Sequence, residues 1–515
     1  MIQYIRNHWP KLVILTVLFL TMHLWQLNEI PYDMVTDEVS MGYDAWSLAN
    51  YGVDRNLDSW PFYLKNYGGG QSAMYAWLCA LLIKLTGAVN AAVIRTPAAL
   101  FGLLTLVTGA MLTQKVFSPK HPNAWFVFSL LYLICPYFTM SARMGLDCNL
   151  MLGMSTAFLC ALWHAAETQK TAHFALAGIL GGLTLYTYAL SYVVLPAFLA
   201  LMLLYLIRIR RVRPRHAAVT VAALALLGWP LVAVQLINAL GLQEITLGPF
   251  TLTRLTEYRG SELSFKYFLR NVYLTLKSVL CYDQVVGNTT SRFWTLYPVT
   301  IPFVLIGAIV LLRRACRSIR SRTPDAAAPI ALWGACMLAL GFMLSSHDGT
   351  NVNRLNAIFF VTAVAAVAGL YAFCGWFRGR ARRVAAAALT VVYAGWFAGF
   401  AGWYLNPASH VVRYGNPFPE AVAYAEEHLS GRVVHMNQPY AYYLLSSLIS
   451  PWEFNLPERD DLYQYENYRF EPAFDEPFHP DDVYIVDVTS PYVQPLTDAG
   501  FNSIRLGQAL VVTAE

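Results

Sequence analysis

Apolar runs of the length a helix needs to cross a bilayer, about twenty residues, recur along most of the chain. They fall at 12–27, 96–117, 123–140, 149–166, 173–189, 191–207, 217–237, 298–313, 328–346, 356–376 and 384–405. The runs are continuous and not alternating, so helices rather than barrel strands are the expected spanning elements. Of 515 residues only 13% are charged, where a soluble domain carries about a quarter. That excludes a soluble multidomain enzyme, a disordered chain and a nucleic-acid-binding protein. The stretch 173–207 carries Tyr188, Ser191 and Tyr192 at its middle and reads as two short helices with a tight external turn. The first run has Arg6 and Lys11 on its flank and no small-residue cleavage site after it, so it reads as an anchor and not a cleaved signal.

Residues 71–87 pose the one topological choice. They resemble a seventeen-residue span but carry Gln71, Ser72 and Lys84. Read as a helix lying at the outer interface, they leave eleven spans, with the N-terminus cytoplasmic and the C-terminus outside. The cytoplasmic side then holds 19 of the 36 basic residues, including the clusters 208–215, 313–322 and 378–383, with only Glu167 and Asp325 of the 31 acids. The outside holds 17 basic and 29 acidic residues. Counting 71–87 as a crossing would turn the three arginine clusters outward, against the positive-inside rule. The clusters read as topology anchors beside anionic lipid and not as a nucleic-acid surface. The eight cysteines form no CxxC and indicate neither a disulfide framework nor a zinc site.

The expected fold is an all-α polytopic membrane protein over residues 1–405, followed by a small extracytoplasmic α/β domain over 406–515. External loops run over 28–95, with interfacial helices, and over 238–297. In the acidic tail, 419–429 has helical periodicity, 432–436 and 483–488 read as buried strands and 501–513 as a closing hairpin. The tail carries no catalytic signature; acceptor recognition and a simple cap both fit it.

Ionisable residues cluster at the outer ends of the spans. Asp37 and Glu38 open a helix that is rich in aromatics and ends at Gly52. Asp37 suits a helix cap; it also stands close enough to the membrane to reach a lipid headgroup and an aqueous acceptor together. Arg143 and Asp147 are four apart in a short external turn, a spacing that suits a local ion pair or a functional pair at a boundary where charges are costly to place. Arg354 precedes an apolar helix on the outer side, against the charge trend; a phosphate at headgroup level, or snorkelling, explains it. Lys65 and Arg95 are weaker candidates of the same kind. Acids and cations from three loops at one face suit transfer of a group from a phosphate-linked lipid. The acid takes a proton from an acceptor hydroxyl and the cations stabilise the departing phosphate.

The ordered set formed by DEVSMGYDAWSLANYG, the interfacial helix, Arg95-Thr-Pro-Ala-Ala-Leu-Phe-Gly and SARMGLD resembles the GT-C membrane glycosyltransferases, in the branch of protein O-mannosyltransferases and lipid A aminoarabinose transferases. The similarity covers most of residues 1–240 and weakens through 250–405. It implies a GT-C-like fold and a polyprenyl-phosphate-linked sugar donor. It assigns Asp37 as general base and Asp147 as the acid that positions substrate or a divalent cation (Mg or Mn), with Asp37 and Asp147 as its ligands. Members differ in metal use, so the cation stays open. Arg354 matches a cation near the donor phosphate. Relatives carry Lys or His followed by prolines just before the interfacial helix; here Gly70-Gln71-Ser72-Ala73 stands there, leaving Lys65 as the substitute cation.

The function expected is inverting sugar transfer from polyprenyl phosphate to an acceptor hydroxyl on a glycan, protein or wall polymer. Asp37 is the base, and Glu38, Lys65, Arg143, Asp147 and Arg354 bind substrate. The protein would sit in the plasma (inner) membrane and act on its outer side. A lipid-linked glycan transporter and an envelope-assembly scaffold are the alternatives. A transporter tends to show internal repeats and ionisable groups near the midplane, and no acid falls inside any run.

Overall fold

In the computed structural model, residues 2–67, 69–256, 263–281, 290–344, 352–406, 415–455 and 463–514 are described. The first helix, α1 (Ile2–Phe19), runs into a π-helical turn at Leu20–Leu24. The first loop holds α2 (Thr36–Tyr51), the antiparallel hairpin β1 (Tyr63–Asn66) and β2 (Gly69–Ser72), and α3 (Ala73–Thr86). Then come α4 (Ala91–Phe117), α5 (Ala124–Ile134), α6 (Pro136–Ala142), α7 (Cys148–Thr168), α8 (Thr171–Leu185), α9 (Ser191–Arg208) and α10 (Pro214–Leu240). The second large loop contains the hairpin β3 (Ile245–Leu247) and β4 (Phe250–Leu252), and α11 (Phe268–Leu280). Helices α12 (Ile301–Ser321), α13 (Ala327–Met343), α14 (Phe359–Gly375) and α15 (Gly379–Tyr404) complete the bundle.

Among the described residues every apolar run of the sequence contains a helix. Among the described residues seven helices are long and apolar enough to cross a membrane: α4, α7, α9, α10, α12 with the turn before it (Pro298–Ser321), α14 with the turn before it (Asn356–Gly375), and α15. Shorter apolar helices lie at His8–Leu24, α8 and α13. The run 123–140 departs from expectation, because it is α5 and α6 bent by 68°. Pro136 lacks the N–H that would continue α5 and instead opens α6 at its first position. Helix α3 has 14 residues, about 21 Å at 1.5 Å per residue and short of a bilayer core. It packs against α2 through Met41, Ala45, Tyr75, Cys79 and Ala80. All eight cysteines are free.

The tail builds a six-stranded sheet. Its elements are α16 (Pro419–His428), β5 (Val434–Met436), α17 (Tyr440–Ser447), α18 (Pro451–Phe454), β6 (Gln464–Tyr465), β7 (Tyr468–Phe470), β8 (Val483–Asp487), α19 (Val493–Asp498), β9 (Asn502–Leu506) and β10 (Ala509–Thr513). The strand order is β6-β7-β5-β8-β10-β9, with β5 parallel to β7 and β8. Strand β8 is buried at every position, which is why it reads as an apolar run and not an alternation. Val483 and Ile485 join the core shared with α16 and α17, while Tyr484 and Val486 face the layer of Phe474, Leu496 and Phe501.

This sheet region sits on α2. Met34, Val39, Tyr43 and Ile94 share one core with Phe418, Tyr442 and Leu445. The Tyr442 hydroxyl donates to the Met34 carbonyl at 2.6 Å, and the Tyr43 hydroxyl donates to the Ile449 carbonyl at 2.7 Å.

In the bundle, α12 and α14 approach backbone to backbone. A Cβ on Gly307 would overlap the Ala365 carbonyl, and one on Gly369 would overlap the Phe303 carbonyl. Small residues allow such close helix pairs in lipid. Gly369→Ala should therefore lower the unfolding temperature of the detergent-solubilised protein, by overpacking worth about 1–3 kcal/mol. Gly375→Ala, on the same helix with open space at the Cβ position, should leave it unchanged or raise it.

Candidate active site

The site begins with the connector between the first helix and α2. That segment has little regular structure, so its carbonyls need donors. Two buried arginines supply them. Arg143 donates to the carbonyls of Met22 (3.3 Å), Trp25 (2.7 Å), Gln26 (3.2 Å) and Ile30 (2.8 Å). Its guanidinium lies 5.7 Å from the Tyr404 ring centroid. Arg95 donates to the carbonyls of Leu27 (3.1 Å), Pro31 (2.9 Å) and Asp33 (2.8 Å) and to Glu38 through Nε at 2.8 Å. Both arginines are fully buried.

This arrangement separates two adjacent acids. Residues next to each other in a helix point about 100° apart. Glu38 turns inward, is fully buried, pairs with Arg95 and accepts the Gly145 N–H at 2.9 Å. Asp37 turns outward and is exposed. The helix cap is Val35, with no side-chain hydrogen bond, so Asp37 is not the capping residue. Its Oδ1 accepts the Asn66 amide at 3.1 Å. Asn66 also donates to Gln71 at 3.1 Å and receives Arg55 at 3.4 Å. Arg55 in turn is buried and held bidentately by Asp44, the shortest contact being 2.7 Å.

Asp147 precedes α7 and stands beside Asp37. Its Oδ1 accepts the Cys148 N–H at 2.7 Å and its Oδ2 accepts the Ser72 N–H at 3.2 Å. The hairpin β1–β2 thus touches both acids, Asp37 through Asn66 and Asp147 through Ser72. Burial pushes the Asp147 carboxyl up to about 7; the charge of Asp37 adds to this, and the two backbone N–H groups oppose it.

The structure redistributes the other candidates. Arg143 and Asp147 do not pair: one turns to the connector carbonyls, the other to Ser72 and Cys148. Glu38 and Arg143, expected to bind substrate, are both fully buried and spend their polar atoms on Arg95, Gly145 and the connector carbonyls. Lys65 is held by Asp58 and Glu244, each at 2.9 Å. Burial opposes its charge, but these two carboxylates outweigh it and raise its pKa. Arg354 is half-buried in the turn before α14. Two residues on, Asn356 donates to Asn149 at 3.1 Å and to the Tyr137 hydroxyl at 3.0 Å. That turn therefore docks at the end of α7 that carries Asp147. The neighbouring residues 345–351 lie outside the described residues. Sequence reasoning missed Asn66, Gln71 and Ser72, whose only signal was the polar Gln71-Ser72 pair ahead of α3.

Among the described residues no group of three or more His, Cys, Asp or Glu could hold a metal ion. Asp37 and Asp147 nevertheless suit one. Magnesium-type ions often take one or two carboxylates and complete the shell with water and phosphate, and a cation would relieve the cost of ionising buried Asp147 next to Asp37.

The family described as dolichyl-phosphate-mannose-protein mannosyltransferase matches residues 71–233, a segment that holds Arg143 and Asp147 but not Asp37, Lys65 or Arg354. The fold matches ArnT from Cupriavidus metallidurans bound to undecaprenyl phosphate, with a TM-score of 0.56 at 12% identity, over 99% of this chain and 98% of that one. It also matches the archaeal oligosaccharyltransferase AglB from Archaeoglobus fulgidus in complex with an inhibitory peptide and a dolichol-phosphate, with a TM-score of 0.50 at 13% identity, over 92% of this chain and 62% of that one. The Archaeoglobus fulgidus oligosaccharyltransferase complex with Zn and sulfate matches with a TM-score of 0.52 at 14% identity, over 86% of this chain and 61% of that one. Comparison with curated proteins by sequence finds no match. The chain is an integral membrane protein with the GT-C fold, and it resembles ArnT and the protein mannosyltransferases.

Removing one partner of a buried ion pair typically costs about 3–5 kcal/mol. Arg95→Met should therefore lower the unfolding temperature sharply, and Glu38→Gln in the same chain should restore part of the loss. Burial lifts the Asp147 carboxyl from the ordinary 3.8 to about 7, so between those values the native state holds a proton that the unfolded chain has lost. Its contribution to stability is greatest below about pH 4 and is lost as pH rises towards 7. Asp147→Asn should remove that part of the stability decline between about pH 4 and pH 7, read as unfolding temperature against pH.

Proposed function

We propose that the chain transfers a sugar from a polyprenyl-phosphate donor to an acceptor hydroxyl, at the membrane face that carries Asp37 and Asp147, with inversion at the anomeric carbon. The observation that carries this reading is the pairing of an exposed acid with a buried one on a hairpin-braced floor. The fold it sits in is shared with ArnT bound to undecaprenyl phosphate.

Asp37 accepts the proton of the acceptor hydroxyl. The oxygen attacks the anomeric carbon as the bond from that carbon to the phosphate oxygen breaks. The polyprenyl phosphate leaves with the bonding electron pair. Phosphate is a fair leaving group, so alignment and charge stabilisation supply most of the rate. Asn66, oriented by Arg55, holds Asp37 in place. Arg354 is the cation assigned to the donor phosphate. Lys65, tied to Asp58 and Glu244, braces the hairpin from the other side. Asp37 and Asp147 would hold a divalent cation, which supplies charge neutralisation at the phosphate when bound. The face is extracytoplasmic by the partition of basic residues, which supports a plasma (inner) membrane enzyme acting on a glycan, protein or wall-polymer acceptor. The α/β tail packs on α2 at this face and shares a core with it.

Asp37 is exposed and no cap, so Asp37→Asn should preserve the unfolding temperature. In proteoliposomes it should lower transfer of labelled sugar from a polyprenyl-phosphate donor by about 10²–10⁴-fold, the usual range for loss of a general base. Full activity in that variant would overturn the assignment.

A further inference from the structure

At the end of the bundle opposite Asp37, a basic cavity meets an apolar groove. Helix α4 carries Arg95 at the candidate site and Lys115 twenty residues on, about 30 Å away along the helix. Beyond Lys115 a cavity of ≈ 450 Å³ is lined by Ser118, Lys120, His121, Arg314, Arg317 and Tyr371. A second cavity of ≈ 290 Å³ shares Ser118 and Arg314 with it and adds Lys115 and Arg211. Two of these cations are paired, Lys115 with Glu167 at 2.8 Å and Arg314 with Asp325 at 2.6 Å. Lys120, Arg211 and Arg317 have no ion-pair partner among the described residues. Burial, then the charges of Arg382 and Lys120, lower the pKa of His121. The mouth is therefore a positive field whose cations outnumber their acids.

Tyr371 is also part of a second wall. Together with Leu130, Ile134, Leu370, Leu389 and Phe397 it lines an apolar groove of ≈ 420 Å³ between α5, α14 and α15. His121 stacks on Tyr371 at 3.9 Å between ring centroids and Phe117 lies 5.4 Å from it, so the junction of groove and cavity is a packed aromatic ledge. Helix α15 buries only Tyr393, Phe400 and Tyr404; protein covers little of the groove's outer wall. A small free anion would use the cavity and leave the groove unexplained. A neutral lipid would use the groove and leave the cations unexplained. An amphiphile with apolar chains and a phosphate head fits both at once.

We propose that the groove and the basic cavity form one binding site for an anionic phospholipid of the leaflet opposite the candidate active site, its acyl chain along α5, α14 and α15 and its phosphate between Lys120, Arg314 and Arg317. The site is independent of the sugar-transfer reading, since none of its residues belongs to the Asp37 face. Bound there, the lipid fastens α15 to the bundle.

The test uses the full chain in detergent, with lipid retention read by native mass spectrometry and unfolding temperature followed in parallel. The probes are phosphatidylglycerol, phosphatidylcholine and inorganic phosphate. Phosphatidylglycerol should be retained and should raise the unfolding temperature, and phosphatidylcholine should bind more weakly. The double variant Lys120→Gln, Arg317→Gln alters two exposed side chains and should fold as the parent does. It should weaken phosphatidylglycerol by about 30-fold, the loss expected for two cations at a headgroup, and leave phosphatidylcholine unchanged. Ala394→Trp, which fills the groove, should weaken both lipids. Unaltered phosphatidylglycerol binding in either variant would overturn the site. So would equal retention of the two lipids by the parent chain. Stabilisation by inorganic phosphate equal to that by phosphatidylglycerol would make it a free-anion site and overturn the lipid assignment.

Discussion

Two buried guanidinium groups hold the Asp37 end of this molecule together. Arg95 and Arg143 reach from α4 and from the bend after α6 and gather the carbonyls of residues 22–33. Arginine suits the task because its five donors spread in a plane and stay charged. A buried charge is costly unless it is paired and hydrogen-bonded, and here one guanidinium has a carboxylate and the other a ring of carbonyls and an aromatic face. The connector cannot shift without leaving these donors unmet. That fixes the entry of α2, and with it the direction in which Asp37 points.

The chemistry then follows from position rather than from residue type. Asp37, Glu38 and Asp147 are all acids at one face. Glu38 is neutralised by Arg95 and serves the scaffold. Asp147 is buried without a cation, so its ionisation is disfavoured until something positive arrives. Asp37 is exposed and held by a neutral amide. Only the last combines access with a defined orientation, which is what a proton acceptor for an incoming hydroxyl requires. The hairpin contributes by touching both Asp37 and Asp147, so that one two-stranded element holds the two acids.

Much of this was legible in the chain. The apolar runs marked every helix of the bundle, Gly52 marked the end of α2, and the strands 434–436 and 483–487 fall within the expected ones. Pro136 carried the signal for the break between α5 and α6, but hydropathy averaged over it. What the sequence did not hold was long-range pairing. Glu38 and Arg95 are 57 positions apart, and nothing local says which of two neighbouring acids faces inward. The four-residue spacing of Arg143 and Asp147 makes a pair only in a continuous helix, and the chain turns between them. Asn66 and Ser72 were invisible because their role comes from backbone register in a hairpin. The sequence resemblance singled out Asp37 and Asp147 as candidates without these details, since it rested on order along the chain.

The docking of the tail on α2 has a consequence for how the protein is made. Tyr442 and Met34 are joined by a hydrogen bond across 408 positions, and Tyr43 and Ile449 by one across 406. The ribosome therefore delivers the first loop long before the residues that complete its packing. During synthesis Met34, Val39 and Tyr43 wait uncovered while the whole bundle is inserted. The face that bears Asp37 reaches its final form only when the tail has been made and folded onto α2, so a partly made chain carries an unfinished site.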